Sequence, residues 1–107
     1  MKITAVFTQG VGEIKRYVLD YTLNLATGET ISTMPQPAIT TPQGQSDANS
    51  PTLIVNDIVV GPGALTVIFF VKGGVASGTY YIDFKANTSL SQVLEDVVQM
   101  NTASYTT

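Results

Sequence analysis

The sequence contains no cysteine and no histidine among its 107 residues. Without cysteine, the chain has no disulfide, no thiolate nucleophile and no cysteine-ligated zinc site. Without histidine, it lacks the side chain that most often acts as a general acid or base near neutral pH. We therefore expect a protein that is not an enzyme, with no catalytic residue, no metal site and no cofactor.

Charged residues are also scarce, at 12% of the chain, and the net charge is -3. The only adjacent basic pair is Lys15-Arg16. No basic stripe is therefore available for a phosphate backbone, and we expect no nucleic-acid partner. The polar surface must come largely from Thr, Ser, Asn and Gln, which suits packing against other protein surfaces.

Long apolar runs are missing as well. No run approaches the roughly 20 residues of a membrane-spanning helix, and residues 1–7 lack the pattern of a signal peptide. We expect no membrane association, and a chain made in the cytoplasm that stays soluble or joins a larger assembly. At 107 residues with 44% apolar content, residues 1–107 are expected to form a single domain with its own core.

The clearest element that is present is the stretch 78–89, in which apolar and polar side chains alternate with the period of a half-buried strand. Tyr80 follows Gly78 at the start of this strand. That is the position of a tyrosine corner, in which the hydroxyl bonds to backbone across the turn. The apolar run 65–71 is the predicted partner strand. The side chains predicted to face inward are Tyr80, Ile82, Phe84 and Ala86.

Further short strands are separated by Gly, Pro and Asn-Asp turns. They are predicted within 1–8, 14–25, 30–34, 52–55, 58–60 and 64–71. We expect residues 1–12 to form an N-terminal strand and loop, 38–51 a long exposed polar loop, and 101–107 a frayed tail. About seven short strands of this kind are typical of an all-β fold, here an immunoglobulin-like antiparallel β-sandwich.

Residues 90–100 fit two structures. Their apolar side chains have the spacing of a helical stripe, and Ser89 with Gln92 mimics a capping box. Three valines favour a strand instead. The local pattern leans towards a helix, and the residues alone leave both structures open.

The run 64–71 is apolar on both of its faces. Val67, Phe69 and Val71 share the inner face, whereas Ile68 and Phe70 lie on the other. A strand of this kind is either covered on both sides or lies at an interface. We therefore predict protein contacts on its outer face and in the polar loop. The candidate residues are Thr66, Ile68, Phe70, Lys72, Gln43, Gln45, Asp47 and Asn49.

Several short motifs, taken in order, resemble those of the fiber-tail adaptor proteins of tailed bacteriophages. Residues 19–23 and 25–32 read LDYTL and LATGETIS, and resemble that family's LDYS and L..GDTI. Residues 67–74 and 78–82 resemble its V.V.L.GG and G..Y.V, and Thr88-Ser89 followed by Glu95 resembles its TS.GR..E ending. The similarity extends over residues 15–102.

That resemblance implies a small virion protein with an immunoglobulin-like sandwich, present in several copies at the neck or tail. It would join fibers or other virion proteins to the particle. The implied partners are portal or neck, tail and fiber proteins, with self-association in a ring. The resemblance also implies that 90–100 is the closing strand.

Two alternatives stay open at this point. One is a capsid decoration protein of the same fold. The other is a carbohydrate- or ligand-binding module, which would need exposed aromatic side chains. The candidates for that role are Tyr17, Tyr81 and Tyr105.

Overall fold

The computed structural model describes residues 3–104, which form two β-sheets and almost no helix. The strands are β1 Ile3–Gly10, β2 Ile14–Asp20, β3 Ile31–Thr33, β4 Ala38–Thr40, β5 Leu53–Val60, β6 Thr66–Gly73, β7 Thr79–Thr88 and β8 Val93–Ala103, with one 3-10 turn at Pro62–Ala64. The all-β prediction is confirmed. No helix in this range has the length and apolarity needed to cross a membrane.

The larger sheet has the strand order β1-β8-β7-β3, with β4 also paired to β7. The smaller sheet has the order β2-β6-β5. β1 runs parallel to β8, whereas the other strand pairs are antiparallel. The sheets pack face to face, and the rings of Phe69 and Phe84 meet between them at a centroid distance of 4.7 Å. The arrangement is consistent with a two-layer β-sandwich.

The core follows the alternation of the two central strands, β6 and β7. Their inward side chains are fully buried, because each sheet covers the inner face of the other. Burying one large apolar side chain contributes about 1.5–3 kcal/mol, so this double row carries much of the folding free energy. The inward faces predicted for both strands are confirmed. Their residues are Val67, Phe69, Val71, Tyr80, Ile82, Phe84 and Ala86.

The predicted pairing of 65–71 with 78–89 is wrong. β6 pairs with β2 and β5, and β7 pairs with β8, β3 and β4, so the two central strands belong to different sheets. The chain crosses between the sheets after Gly73 and Gly74, whose φ angles are 81° and 90°. An alanine Cβ at Gly73 would lie 2.7 Å from the Thr52 carbonyl oxygen. This crossing therefore requires glycine.

The predicted strand 14–25 is too long, because β2 ends at Asp20. The Asp20 carboxylate accepts hydrogen bonds from the Thr22 backbone N–H at 2.9 Å and the Thr22 hydroxyl at 2.6 Å. Such local bonds give the backbone an alternative to the sheet. The chain turns here, and Leu23, which lies within the predicted strand, is 98% exposed.

Residues 93–100 form a strand, as the resemblance implied for 90–100, whereas residues 90–92 belong to the turn before it. β8 pairs with β7 on one edge and β1 on the other, so hydrogen bonds on both sides outweigh the local helical spacing. The strand extends to Ala103, so the expectation of fraying from 101 is wrong up to that residue. The rest of the predicted tail, residues 105–107, lies outside the described residues.

Two further segments differ from expectation. The polar stretch 38–51 begins with the short strand β4, which pairs with β7. The predicted strands 52–55 and 58–60 are one strand, β5, interrupted by a register shift between Asn56 and Val59. Asp57 has a φ of 51° there. The bulge or turn predicted for Asn56-Asp57 is thus a bulge within a continuous strand.

Candidate protein interface

The outer face of the smaller sheet carries a group of apolar side chains, four of which are exposed. Ile68 and Phe70 of β6 are half-buried on this face, as predicted. Val18 and Val59 flank Ile68 from the neighbouring strands, and both are about half exposed. The apolar side chains on this face, which we term the outer apolar face, are Ile14, Val18, Ile54, Val59, Ile68 and Phe70.

Two cations border the outer apolar face. Arg16 lies across from Phe70, and Lys72 lies between Ile14 and Ile54. Within residues 3–104, the only ion pair joins Lys85 to Glu95, so neither cation is paired with a carboxylate of this region. Their alkyl stems can lie along apolar neighbours while the charges remain in water. The face is therefore apolar with a basic side.

The edges of the smaller sheet are protected against non-specific pairing with strands of other molecules. β2 places Lys15 and Arg16 on one edge, and β5 carries its bulge on the other. Charged side chains and bulges are common ways to blunt an exposed edge. The face of this sheet is consequently a better contact surface than its edges.

The polar loop is anchored at Asp47. This carboxylate is 9% exposed and accepts hydrogen bonds from the Gln45 side chain, the Thr52 backbone and hydroxyl, and the Tyr80 hydroxyl, at 2.5–3.0 Å. Burial opposes ionisation, but these bonds together hold the pKa of Asp47 well below its usual range. The expected exposure of the loop is therefore wrong at Asp47, and the role of this residue in protein contacts stays a prediction.

The remaining loop candidates differ in their surroundings. Gln45 accepts a hydrogen bond from the Thr79 backbone at 2.7 Å and is half-buried, so it ties the loop to the start of β7. Gln43 and Asn49 are exposed. Their role in protein contacts stays a prediction.

Tyr80 forms the predicted corner. Its hydroxyl accepts a hydrogen bond from the Val75 backbone N–H at 2.9 Å, across the turn that precedes β7. The hydroxyl also donates to Asp47 at 2.5 Å. Burial, followed by the bond to Asp47, raises the pKa of Tyr80. The corner thus joins the sheet crossing to the polar loop, a link that the sequence did not reveal.

A second buried carboxylate joins two of the motifs quoted above. Glu29 is 2% exposed, accepts a hydrogen bond from the Thr88 hydroxyl at 2.5 Å, and accepts another from the Ala26 backbone at 2.9 Å. These bonds, with Thr88 the larger contributor, lower the pKa of Glu29. Ser89 in turn bonds to the backbone of Thr30. These hydrogen bonds hold the two motifs together within the domain.

An acidic cleft on the larger sheet was not predicted. Its volume is about 820 Å³, and its walls bring together Asp83 of β7 with Glu95 and Asp96 of β8. The pKa of Glu95 is raised, chiefly by the neighbouring Asp83. In the sequence, an outward Asp83 was visible, but the register that sets it beside Glu95 was not. No group of three or more potential ligands within the described range is arranged to hold a metal ion.

The aromatic residues considered for ligand binding are dispersed. The Tyr17 ring lies between Phe7 and Phe69, at centroid distances of 4.8 and 5.7 Å, so its expected exposure is wrong. Its hydroxyl donates to the Gln9 side chain at 2.8 Å. Tyr81 is half-buried in the wall of the acidic cleft. Tyr105 lies outside the described residues.

A family model described as podophage GP4 fiber-tail adaptor protein gp77 matches residues 9–101. No curated protein matches the chain. The matched segment begins at the end of β1 and ends at residue 101, close to the end of β8, so it includes strands of both sheets and the outer apolar face. It confirms the resemblance noted in the sequence.

Proposed function

Because the chain belongs to the podophage fiber-tail adaptor family, we propose that it is a non-enzymatic structural protein of the virion. It is made in the host cytoplasm and is built into the tail or neck. There it connects fibers or other virion proteins, including the portal, to the particle. The observation that carries its mode of action is the outer apolar face.

The outer apolar face supports docking because it departs from the usual pattern of an open sheet. In an antiparallel sheet with one solvated face, side chains alternate between apolar inside and polar outside. Here β6 is apolar on both sides, and Val18 and Val59 continue the apolar row on either side of Ile68. Contiguous patches of this kind on soluble proteins mark interaction sites. Thr66 and Lys72 complete the β6 row.

We further propose that repeated copies assemble in a ring. A heterologous contact, in which two different surfaces of the same chain meet, closes into a ring when the rotation between copies allows. The outer apolar face lies on one side of the sandwich, so the opposite side is available to a second neighbour. Gln43 and Asn49, which are exposed in the polar loop, are candidates for additional contacts.

The strand order also supports an immunoglobulin-like topology as a proposal. The order β2-β6-β5 corresponds to strands B, E and D of that fold, and β8-β7-β3 to G, F and C. β1 would be a first strand that has changed sheets to run parallel to β8. The position of Tyr80 near the start of the F-like strand agrees with this assignment.

The docking surface is tested with the substitution Phe70→Asp in a phage that lacks its own copy of the gene. A charged side chain on the outer face is compatible with the monomer fold but unfavourable in a desolvated contact. We expect the purified variant to keep the wild-type circular dichroism spectrum and melting behaviour. We also expect it to be absent from purified particles and not to restore infectivity.

The matched control is Leu90→Asp, which removes a 58% exposed apolar side chain outside the outer apolar face. This variant should enter particles normally. Incorporation of the Phe70→Asp protein at the wild-type level would refute docking through this face. Separating heads from tails before detection would also show whether the protein resides on the tail, as proposed, or on the capsid.

A further inference from the structure

The acidic cleft lies on the outer face of the larger sheet, on the side of the sandwich opposite the outer apolar face. Four strands build it, with Tyr81 and Asp83 from β7, Glu95 from β8, Ile3 from β1 and Thr40 from β4. The register sets Asp83 between Ala38 of β4 and Val97 of β8. Its volume of about 820 Å³ is sufficient for a long side chain and the peptide segment that carries it.

The charge inside the cleft is unbalanced. Asp83, Glu95 and Asp96 line it, and within residues 3–104 the one ion pair made by these carboxylates joins Glu95 to Lys85, whose Nζ is 4.0 Å from a Glu95 carboxylate oxygen. Both partners of that pair are more than half exposed, so the pair is weak. Two adjacent carboxylates disfavour each other's ionised state, which agrees with the raised pKa of Glu95.

Hydrogen-bonding capacity at the cleft is also unfilled. One carboxylate oxygen of Asp83, Oδ1, is buried and has no donor within residues 3–104. Buried polar groups are normally satisfied, so this unpaired oxygen at the cleft indicates a missing ligand group.

We propose that this cleft binds an arginine side chain of a partner virion protein. The missing group must be cationic and must offer several donors to neighbouring carboxylates. A guanidinium presents five donors in a planar fork and forms bidentate bonds with carboxylates. Its plane can also stack on an aromatic ring, here that of Tyr81. This inference rests on the proposed function, because it specifies the chemistry of one partner.

Other ligands fit less well. The carboxylates are not arranged as a metal site within the described part of the chain. A phosphate or nucleic acid would be repelled by three negative side chains. A lysine ammonium is a point charge. It cannot donate the planar, bidentate hydrogen bonds that Asp83 and Glu95 can accept together. The arrangement therefore favours a guanidinium.

The test is a titration of the isolated, ¹⁵N-labelled chain with a blocked Gly-Arg-Gly peptide at neutral pH. Binding is monitored by the amide chemical shifts of the chain. Peptides with lysine or with neutral citrulline in the central position provide the ligand controls. We expect the arginine peptide to shift the amides around Tyr81, Asp83 and Glu95. The lysine peptide should bind more weakly, and the citrulline peptide should not bind.

Protein variants give the second arm. Asp83→Asn and Glu95→Gln should each weaken arginine binding about tenfold, since each removes one charge-assisted contact. Asp57→Asn is the matched control, because Asp57 is exposed in the β5 bulge, in a left-handed conformation that asparagine accepts. It should bind like the wild type. Melting curves identify any variant that has lost its fold.

Shifts scattered over the surface, or equal affinity of wild type and Asp83→Asn, would refute a site in the cleft. Equal binding of the lysine and arginine peptides would refute the guanidinium assignment. Neither result depends on particle assembly. Failure here would consequently be distinct from failure of the adaptor role, which the Phe70→Asp experiment tests.

Discussion

Replacing Tyr80 by phenylalanine tests the role of the corner in holding the polar loop and the sheet crossing together. The substitution removes one oxygen and leaves the buried ring in place, so packing in the core changes little. The lost hydroxyl accepts from the Val75 N–H at 2.9 Å and donates to the Asp47 carboxylate at 2.5 Å. Both groups then lose a partner in a site from which water is largely excluded.

The expected size of the effect follows from these two bonds. A neutral hydrogen bond contributes about 0.5–1.5 kcal/mol, and one to a charged group about 1.5–3 kcal/mol. Their sum is about 2–4.5 kcal/mol. For a domain of this size, such a loss lowers the melting temperature by about 10–20 °C. Because ordinary domains have about 5–15 kcal/mol of stability, the variant should remain folded at room temperature.

Urea unfolding followed by circular dichroism measures the change, with Tyr81→Phe as the matched control. Tyr81 carries the same hydroxyl on the opposite face of β7 and takes no part in the corner. Removing the Tyr81 hydroxyl should change the unfolding free energy by less than about 0.5 kcal/mol. Equal effects of the two substitutions, or no effect of Tyr80→Phe, would refute the assigned role of the corner.

Two further predictions concern stability. Despite its burial, Asp47 has a lowered pKa in the folded protein because of its hydrogen bonds. Its contribution is therefore complete above the unfolded pKa of about 3.9 and is lost as the pH falls through the folded value. Urea unfolding measured from pH 7 to pH 2 should show this loss of unfolding free energy. Asp47→Asn should reduce the dependence of the unfolding free energy on pH, and an unchanged dependence would contradict this role of Asp47. Gly73→Ala should cost more than about 1–2 kcal/mol by the same measurement, since φ is 81° and the new Cβ would lie 2.7 Å from a backbone oxygen. Gly12→Ala, which meets no atom within 4 Å, should cost less than about 0.5 kcal/mol, and equal costs would contradict the argument.

The local features of the fold could be predicted from the sequence because they depend on neighbours in the chain. The inward faces of β6 and β7 follow from strict alternation of apolar and polar residues. The corner at Tyr80 follows from a tyrosine placed just after a glycine turn. The outward direction of Ile68 and Phe70 follows from the same alternation. It places two large apolar side chains on the face of the sheet that is usually polar and exposed to solvent.

The remaining features depend on residues far apart in the chain. Whether β6 pairs with β7 or faces it is a matter of sheet topology, and alternation is identical in the two cases. The strand β8 has a helical spacing, and only its pairing on two edges decides against a helix. Asp47 resembles any polar loop residue, because its donors come from three separate positions, the most distant of which is Tyr80.

The acidic cleft could not be predicted for a related reason. Asp83 and Glu95 lie on adjacent strands, and their proximity is set by the antiparallel register of β7 and β8. A shift of that register by one residue would turn the side chains of one strand to the other face. The alternation within 78–89 places Asp83 on the outward face, but it does not reveal the neighbour of this carboxylate.

The most direct test of docking through the outer apolar face is the chemical accessibility of Ile68 before and after assembly. The chain has no cysteine, so Ile68→Cys provides a single thiol for labelling with a maleimide. A thiol introduced by Thr27→Cys, in an exposed turn away from this face, is the control. In the free protein both thiols should react. In purified particles we predict that the thiol at 68 is protected while the thiol at 27 still reacts, and equal labelling of both would contradict the account.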